Sequence, residues 1–234
     1  MCTLTFIPNS LENFVLTSNR DEAPRRGTIR PMMYTEDGVQ LMYPKDELAG
    51  GSWIGISDKK RAVCLLNGGF AAHQREERYR MSRGIIVKDL LVSDAVLNKI
   101  DTYDFSGIEP FTIVMVDWNI NLRIFELVWD GTNQFFTEKP LAPQIWSSSL
   151  LYSSEVKKKR EQWFSAFLFS SLRPACETIL NFHKTAGEGN NETNLVMDRG
   201  YVATKSITQI IKDDSIVKMR YEDLESKNIT NNQL

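Results

Sequence analysis

Strand-like runs fall into three groups along this chain, and two pairs of helical segments separate the groups. That order constrains the fold more than any other feature. Runs of strands followed by runs of helices build antiparallel sheets with helices on their outer faces, whereas strict strand–helix alternation builds parallel sheets. Residues 2–7 and 14–18 read as short strands joined around Pro8-Asn9-Ser10, where turn formers interrupt apolar residues. Residues 53–57 and 62–66 read as a hairpin closed by Asp58-Lys59-Lys60, rich in β-branched and aromatic side chains. Residues 111–116, 122–128 and 133–137 form a meander, turning at Asn119-Ile120-Asn121 and Asp130-Gly131. Residues 206–211 and 216–221 repeat the pattern around Lys212-Asp213-Asp214.

The helical segments announce themselves by period. From Ser82 onward, Ile86, Leu90 and Leu91 recur at helical spacing, and Ser93 is expected to cap a turn carrying Val96, Leu97 and Ile100. A longer helix is expected over 154–170, with Trp163, Phe164, Phe167 and Leu168 on one face. Pro174 is expected to open the next helix, whose stripe is Cys176, Ile179, Leu180 and His183. Cys176 reads as a buried packing thiol, His183 as a partly buried helix residue, and Lys157-Lys158-Lys159-Arg160 as a solvated face. A single domain over 1–225 is expected, with a polar, Asn-rich tail from 226 to 234 that frays.

Composition narrows the class. With 234 residues, 42% of them hydrophobic and 25% charged, the chain has the make-up of an average globular protein. A formal net charge of −2 gives no electrostatic footprint for nucleic acid or an anionic membrane, so neither is expected as a partner. No apolar run approaches the roughly 20 residues of a membrane span. The start, Met1-Cys2-Thr3-Leu4, lacks the basic opening of a secretory leader. Cys2, Cys64 and Cys176 are odd in number and match no zinc spacing, which suits a reducing, cytoplasmic setting.

Cys2 directly follows the initiator methionine. Removal of Met1 would leave a residue carrying both a thiol and a free α-amine, a nucleophile and a base in one. A free thiol has a pKa near 8.5 and an α-amine one near 7.7–8.0, so near neutrality some amine is free to accept the thiol proton. The chain has only two histidines, His73 and His183, so a cysteine–histidine pair has few possible members.

Behind Cys2 come Asn19-Arg20-Asp21-Glu22, then Gly50-Gly51-Ser52-Trp53-Ile54-Gly55, then Leu66-Asn67, then Ser82-Arg83-Gly84. These blocks, in this order and spacing, resemble the NRDE family, also called the transport and Golgi organisation protein 2 family. Further on, Thr204-Lys205-Ser206 is similar to that family's late Thr-Arg-Ser block. The resemblance implies an α+β fold with mostly antiparallel sheets, the four-layer αββα sandwich of N-terminal-nucleophile (Ntn) hydrolases.

It also implies roles. Cys2 would be the nucleophile, Asp21 would orient its amine, and Arg20 would hold the thiolate and depress its pKa. Asn67 would donate its amide to an oxyanion. Gly50 and Gly51 would allow a close backbone approach, with Trp53 as a wall. Asn19 and Glu22 would flank the substrate. Ser148 stands where the family places a second asparagine donor, and Lys205 where it places an arginine. The activity implied is hydrolysis of an amide C–N bond in a small, non-peptide molecule, with no cofactor. The alternative on the same fold is a non-catalytic carrier of haem or of an acylated cofactor or lipid. No haem-ligand signature accompanies it, because His73 lies in a polar run expected to be a solvated loop. The oligomeric state is left open by the sequence.

Overall fold

The structure is a computed structural model that describes residues 3–171 and 173–234. The chain opens with β1 (Thr3–Pro8) and β2 (Phe14–Glu22), followed by β3 (Thr28–Glu36), β4 (Val39–Asp46), β5 (Ile54–Ser57) and β6 (Arg61–Asn67). A helix pair, α1 (Arg83–Val92) and α2 (Val96–Thr102), leads to β7 (Phe111–Asp117), β8 (Arg123–Trp129), β9 (Gln134–Lys139) and β10 (Gln144–Ser147). A second pair, α3 (Ser154–Ser170) and α4 (Cys176–Thr185), precedes β11 (Ala203–Asp213), β12 (Ile216–Asp223) and β13 (Ile229–Gln233). These elements fall into two compact units. Among the described residues, no helix is long and apolar enough to cross a membrane.

One unit joins residues 3–26 to residues 142–233. Its six-stranded sheet has the order β10-β1-β2-β11-β12-β13, and every neighbouring pair is antiparallel. Along β1 and β2, alternate side chains share a face. Ile7 and Val15 lie on the face that receives α3 and α4, and there they join Phe164, Ile179, Phe182 and Leu195 in one apolar cluster. α3 begins at Ser153, whose side chain accepts from the Val156 amide, as an N-cap residue does. Pro174 does not open α4 from inside. It lies one residue before the N-cap Ala175, where its missing N–H costs the helix nothing.

The C-terminal tail corrects an expectation. Instead of fraying, Ile229–Gln233 pairs with β12 in register from Lys218↔Gln233 to Glu222↔Ile229. Ladder hydrogen bonds need no apolar side chains, and polar residues suit a strand at a sheet edge.

The other unit spans residues 27–141 and holds a seven-stranded antiparallel meander, β3-β4-β5-β6-β7-β8-β9, with α1 and α2. β3 and β4, unforeseen from the sequence, meet at Asp37-Gly38, both at positive φ (51° and 78°). That is the backbone demanded by the tightest hairpin turns, and Asp-Gly is among the pairs that adopt it most readily. Ser82 caps α1, its hydroxyl accepting from the Gly84 amide at 3.3 Å. α2 starts after Ala95 rather than Ser93, which instead ends α1. His73 is not solvated as expected: its ring is 15% exposed and lies 3.4 Å from the Glu109 carboxylate, which also pairs with Arg75 and Arg83.

Candidate active site

β2 continues as a strand through Asn19-Arg20-Asp21-Glu22, so the consecutive residues of that block alternate between the two faces of the sheet. Register fixes which neighbours each one meets. Asn19 lies opposite Thr3 on β1 and Ile207 on β11, and Thr17 opposite Thr5 and Gln209. Arg20 lies opposite Ser206, and Ser18 opposite Leu4 and Thr208. Asn19 and Asp21 therefore share the face that carries the helices, and Arg20 belongs to the other. All three are at most 1% exposed.

Asp21 is the best-held of these groups. Tyr152, in the connection between β10 and α3, donates its hydroxyl to Asp21 Oδ2 at 2.5 Å. Thr204 on β11 donates to Oδ1 at 2.6 Å. A bulge produces that second contact. Register on β11 shifts between Thr204 and Ser206, so Thr204 rather than Lys205 comes opposite Asp21. Lys205, the extra residue, turns its amine to the Pro24 carbonyl at 2.7 Å and to Glu225. The Tyr152 ring lies beneath the Arg160 guanidinium, 3.6 Å from centroid to Cζ. Burial, and then the charge of Asp21, push the Tyr152 hydroxyl well above the usual phenol range, so it stays a donor.

Arg160 overturns the reading of residues 157–160 as a solvated face. It is fully buried and donates to Thr3 Oγ1, to the Thr193 carbonyl at 3.0 Å and to the Asn194 carbonyl at 2.7 Å. His183 is likewise fully buried rather than partly so. Asn19 spends both amide protons on the carbonyls of His183 (3.1 Å) and Leu195 (2.8 Å), so its Oδ1 must accept. His183 Nδ1 therefore carries the proton and donates to Asn19 Oδ1 at 2.5 Å, and Nε2 accepts from Thr5 Oγ1 at 2.7 Å. Burial, reinforced by the nearby Arg160 charge, lowers the His183 pKa to about 3. The ring is a neutral strut, not an acid or base at ordinary pH.

The remaining expected residues are placed as follows. Glu22 Oε2 lies 4.0 Å from Arg20 Nη2, and Ser148, fully buried, follows β10 and gives its carbonyl to the Tyr152 amide at 3.1 Å. Asn67, Gly51 and Trp53 belong to the unit of residues 27–141. Asn67 ends β6 opposite Phe111, just before Gly68 at φ +86°. Gly51 touches the α1 N-terminus so closely that a Cβ would lie 2.5 Å from the Gly84 carbonyl carbon. Trp53 is 2% exposed. Cys2 lies outside the described residues. Cys64 is buried, and burial raises the pKa of Cys176 above the usual thiol range, so the latter is poorly suited to act as a nucleophile. Among the described residues no set of three His, Cys, Asp or Glu side chains is placed to hold a metal ion.

The sequence reading had singled out neither Tyr152 nor the helical Arg160 as part of this network. Arg160 stands at the end of a basic run, and its burial follows from helical rotation onto the face shared with Phe164, four residues on, which periodicity could have revealed.

A model of the family described as Transport and Golgi organisation 2 matches residues 1–162. No curated protein sequence matches the chain. Among solved structures, a variant of the conjugated bile acid hydrolase of Clostridium perfringens is similar at TM-score 0.61 and 8% identity, covering 99% of this chain and 92% of that one. The N-acylethanolamine-hydrolyzing acid amidase ortholog of Caenorhabditis elegans gives TM-score 0.61 at 12% identity, covering 92% and 95%. Penicillin V acylase of Agrobacterium tumefaciens gives 0.56 at 12%, covering 98% and 85%. At such identities the likeness shows the fold, which is the α+β, antiparallel fold of Ntn hydrolases.

Proposed function

The chain belongs to the Transport and Golgi organisation 2 family, and on that premise we propose that it is an Ntn hydrolase cleaving an amide C–N bond in a small molecule, with Cys2 as nucleophile once Met1 is removed. The observation that carries this reading is the fixed carboxylate of Asp21. It is buried, gripped through both oxygens by Tyr152 and Thr204, and stands two residues beyond Asn19 on β2. Asn19 pairs with Thr3, the residue that follows Cys2 in the chain. A carboxylate oriented in this way suits the holding of a terminal ammonium. The three enzymes of like fold support the substrate class, since their names describe a hydrolase of conjugated bile acids, an amidase of N-acylethanolamines and a penicillin acylase.

In the proposed cycle the α-amine of Cys2 takes the thiol proton, and the thiolate adds to the amide carbonyl carbon. The resulting oxyanion is met by the side-chain amide of Asn67, a contact worth about 2.7–4 kcal/mol where a donor is well placed. The C–N bond then breaks, and the α-ammonium returns its proton to the leaving amine. Water adds to the thioester, with the amine as base again, and releases the acid with the thiol restored. Arg20 supplies the positive charge that favours the thiolate. Asn19, Glu22, Gly51, Trp53, Ser148 and Lys205 are assigned to the surroundings of the substrate.

Intact mass before and after brief exposure to a thiol-acylating probe tests the proposal. Loss of Met1 together with a single adduct on Cys2 is the expected result. Retained Met1 would bury the amine in a peptide bond and refute the mechanism in favour of the carrier role.

A further inference from the structure

At the end of the seven-stranded sheet opposite Asn67, a cavity of about 410 Å³ opens beside the β7–β8 turn and the α1–α2 connection. Asn67 closes β6, whereas Arg61, which lines the cavity, begins it, so the two are roughly 20 Å apart along one strand. The volume is in the range of small-molecule sites. The Arg61 side chain, 4% exposed, forms the floor. Its Nε donates to Asp117 Oδ2 at 3.1 Å, and its Nη1 donates to the Leu90 and Ser93 carbonyls at 2.7 and 2.9 Å, closing the C-terminus of α1. Among the described residues nothing accepts from Nη2. Nη2 is not shut away from solvent, so an acceptor that enters the cavity can reach it.

The lining decides what that group is. Each charge at the rim is already matched: Arg61 with Asp117, Asp94 with Lys59 at 2.5 Å, and Arg123 with Glu138 through two parallel bonds. An anion entering here would meet Asp94 and Asp117, and a cation would meet Arg61 and Arg123, so neither sign is favoured. What stays open is mixed capacity. The side-chain amides of Asn98, Asn119 and Asn121 line the cavity, and none bonds within the protein among the described residues. Each offers both donors and an acceptor, which a hydroxyl group answers with one of each. Beside them stand apolar surfaces, with Leu97 37% and Ile120 88% exposed.

We propose that this cavity is a binding site for a neutral polyhydroxylated ligand of the saccharide class, its hydroxyls on Arg61 Nη2 and the three asparagines and its C–H face on Leu97 and Ile120. The site is independent of Cys2 and of the reaction proposed above.

Amide shifts in two-dimensional NMR of the full chain test it, with methyl β-glucoside, methyl α-mannoside and myo-inositol as probes and octanoate as an anionic control. Saturable shifts confined to residues 93–98 and 117–125 are expected, at concentrations up to roughly ten times a millimolar dissociation constant. In the paired variant Asn119→Ala/Asn121→Ala, which alters only a surface turn, binding weakens roughly tenfold, the size of two neutral hydrogen bonds. Octyl glucoside separates the sources. Tighter binding than the methyl glucoside marks a lipid-borne sugar headgroup, and equal binding marks a free saccharide. Shifts with octanoate alone, no shifts with any polyol, or shifts indifferent to the paired variant would overturn the proposal.

Discussion

Replacing Tyr152 by Phe removes one oxygen from a buried contact and leaves everything around it in place. The ring keeps its position under Arg160, 3.6 Å from the guanidinium carbon, so the cation–π contact survives. What disappears is the 2.5 Å hydrogen bond to Asp21 Oδ2. Bonds to a charged partner contribute about 1.5–3 kcal/mol, and the bond here is buried, where water cannot take over the role. Phe leaves no orphaned donor of its own. We therefore expect Tyr152→Phe to lower stability by about 1.5–3 kcal/mol in urea unfolding, with an unchanged slope. For a chain of this size that corresponds to a melting temperature lower by roughly 3–12 °C. Tyr152→Leu, which also removes the ring from Arg160, should cost up to about 2 kcal/mol more. If Asp21 orients the amine of Cys2, acylation of Cys2 in Tyr152→Phe should also slow, by about tenfold for each 1.4 kcal/mol lost from the transition state. A cost below about 0.5 kcal/mol for Tyr152→Phe, the level of an ordinary surface change, would show that Tyr152 does not hold the carboxylate.

Other expectations follow from the same geometry. His183 has a pKa lowered to about 3, against 6.5 for the free side chain, so below pH 6.5 the unfolded chain binds a proton that the folded chain refuses. Its stabilisation is complete above pH 6.5 and is lost as pH falls toward 3, at about 1.4 kcal/mol per unit, and a His183→Gln protein should lack that slope in unfolding measured against pH. Gly51→Ala places a methyl 2.5 Å from the Gly84 carbonyl carbon, backbone that cannot swing aside, and should lower stability by about 1–3 kcal/mol in the same assay. Cys64 is buried and Cys176 is held protonated by burial, so peptide mapping after brief alkylation should find both unlabelled in the native protein and labelled in urea.

Most strands were legible from alternation and turn residues, and α3 from the stripe of Trp163, Phe164, Phe167 and Leu168 in its C-terminal half. For the hairpin of β3 and β4 the turn pair Asp37-Gly38 is the one local signal. β3 is exposed along most of its length, so its side chains lack a clean alternation of apolar and polar residues. The site was legible in its identities and not in its geometry. Asn19, Arg20 and Asp21 stand out as a polar block, but that they continue β2 and so divide between two faces depends on pairing with β11, a strand about 180 residues away. The full burial of Arg160 and His183 is not legible locally for a similar reason. Their hydrogen-bond partners, Thr3, Thr5, Asn19 and the carbonyls of residues 193 and 194, come from distant parts of the chain.

The sequence by itself determined the class of fold, because strand and helix periods are local and the order of elements excludes a parallel sheet. It also determined the candidate nucleophile, because position and chemistry meet in Cys2. Only the tertiary structure decided which partners hold Asp21. A single bulge at Lys205 brings Thr204 in place of a lysine, and the connection after β10 brings Tyr152. Such contacts depend on register, and a shift of one residue moves every side chain of a strand to the other face.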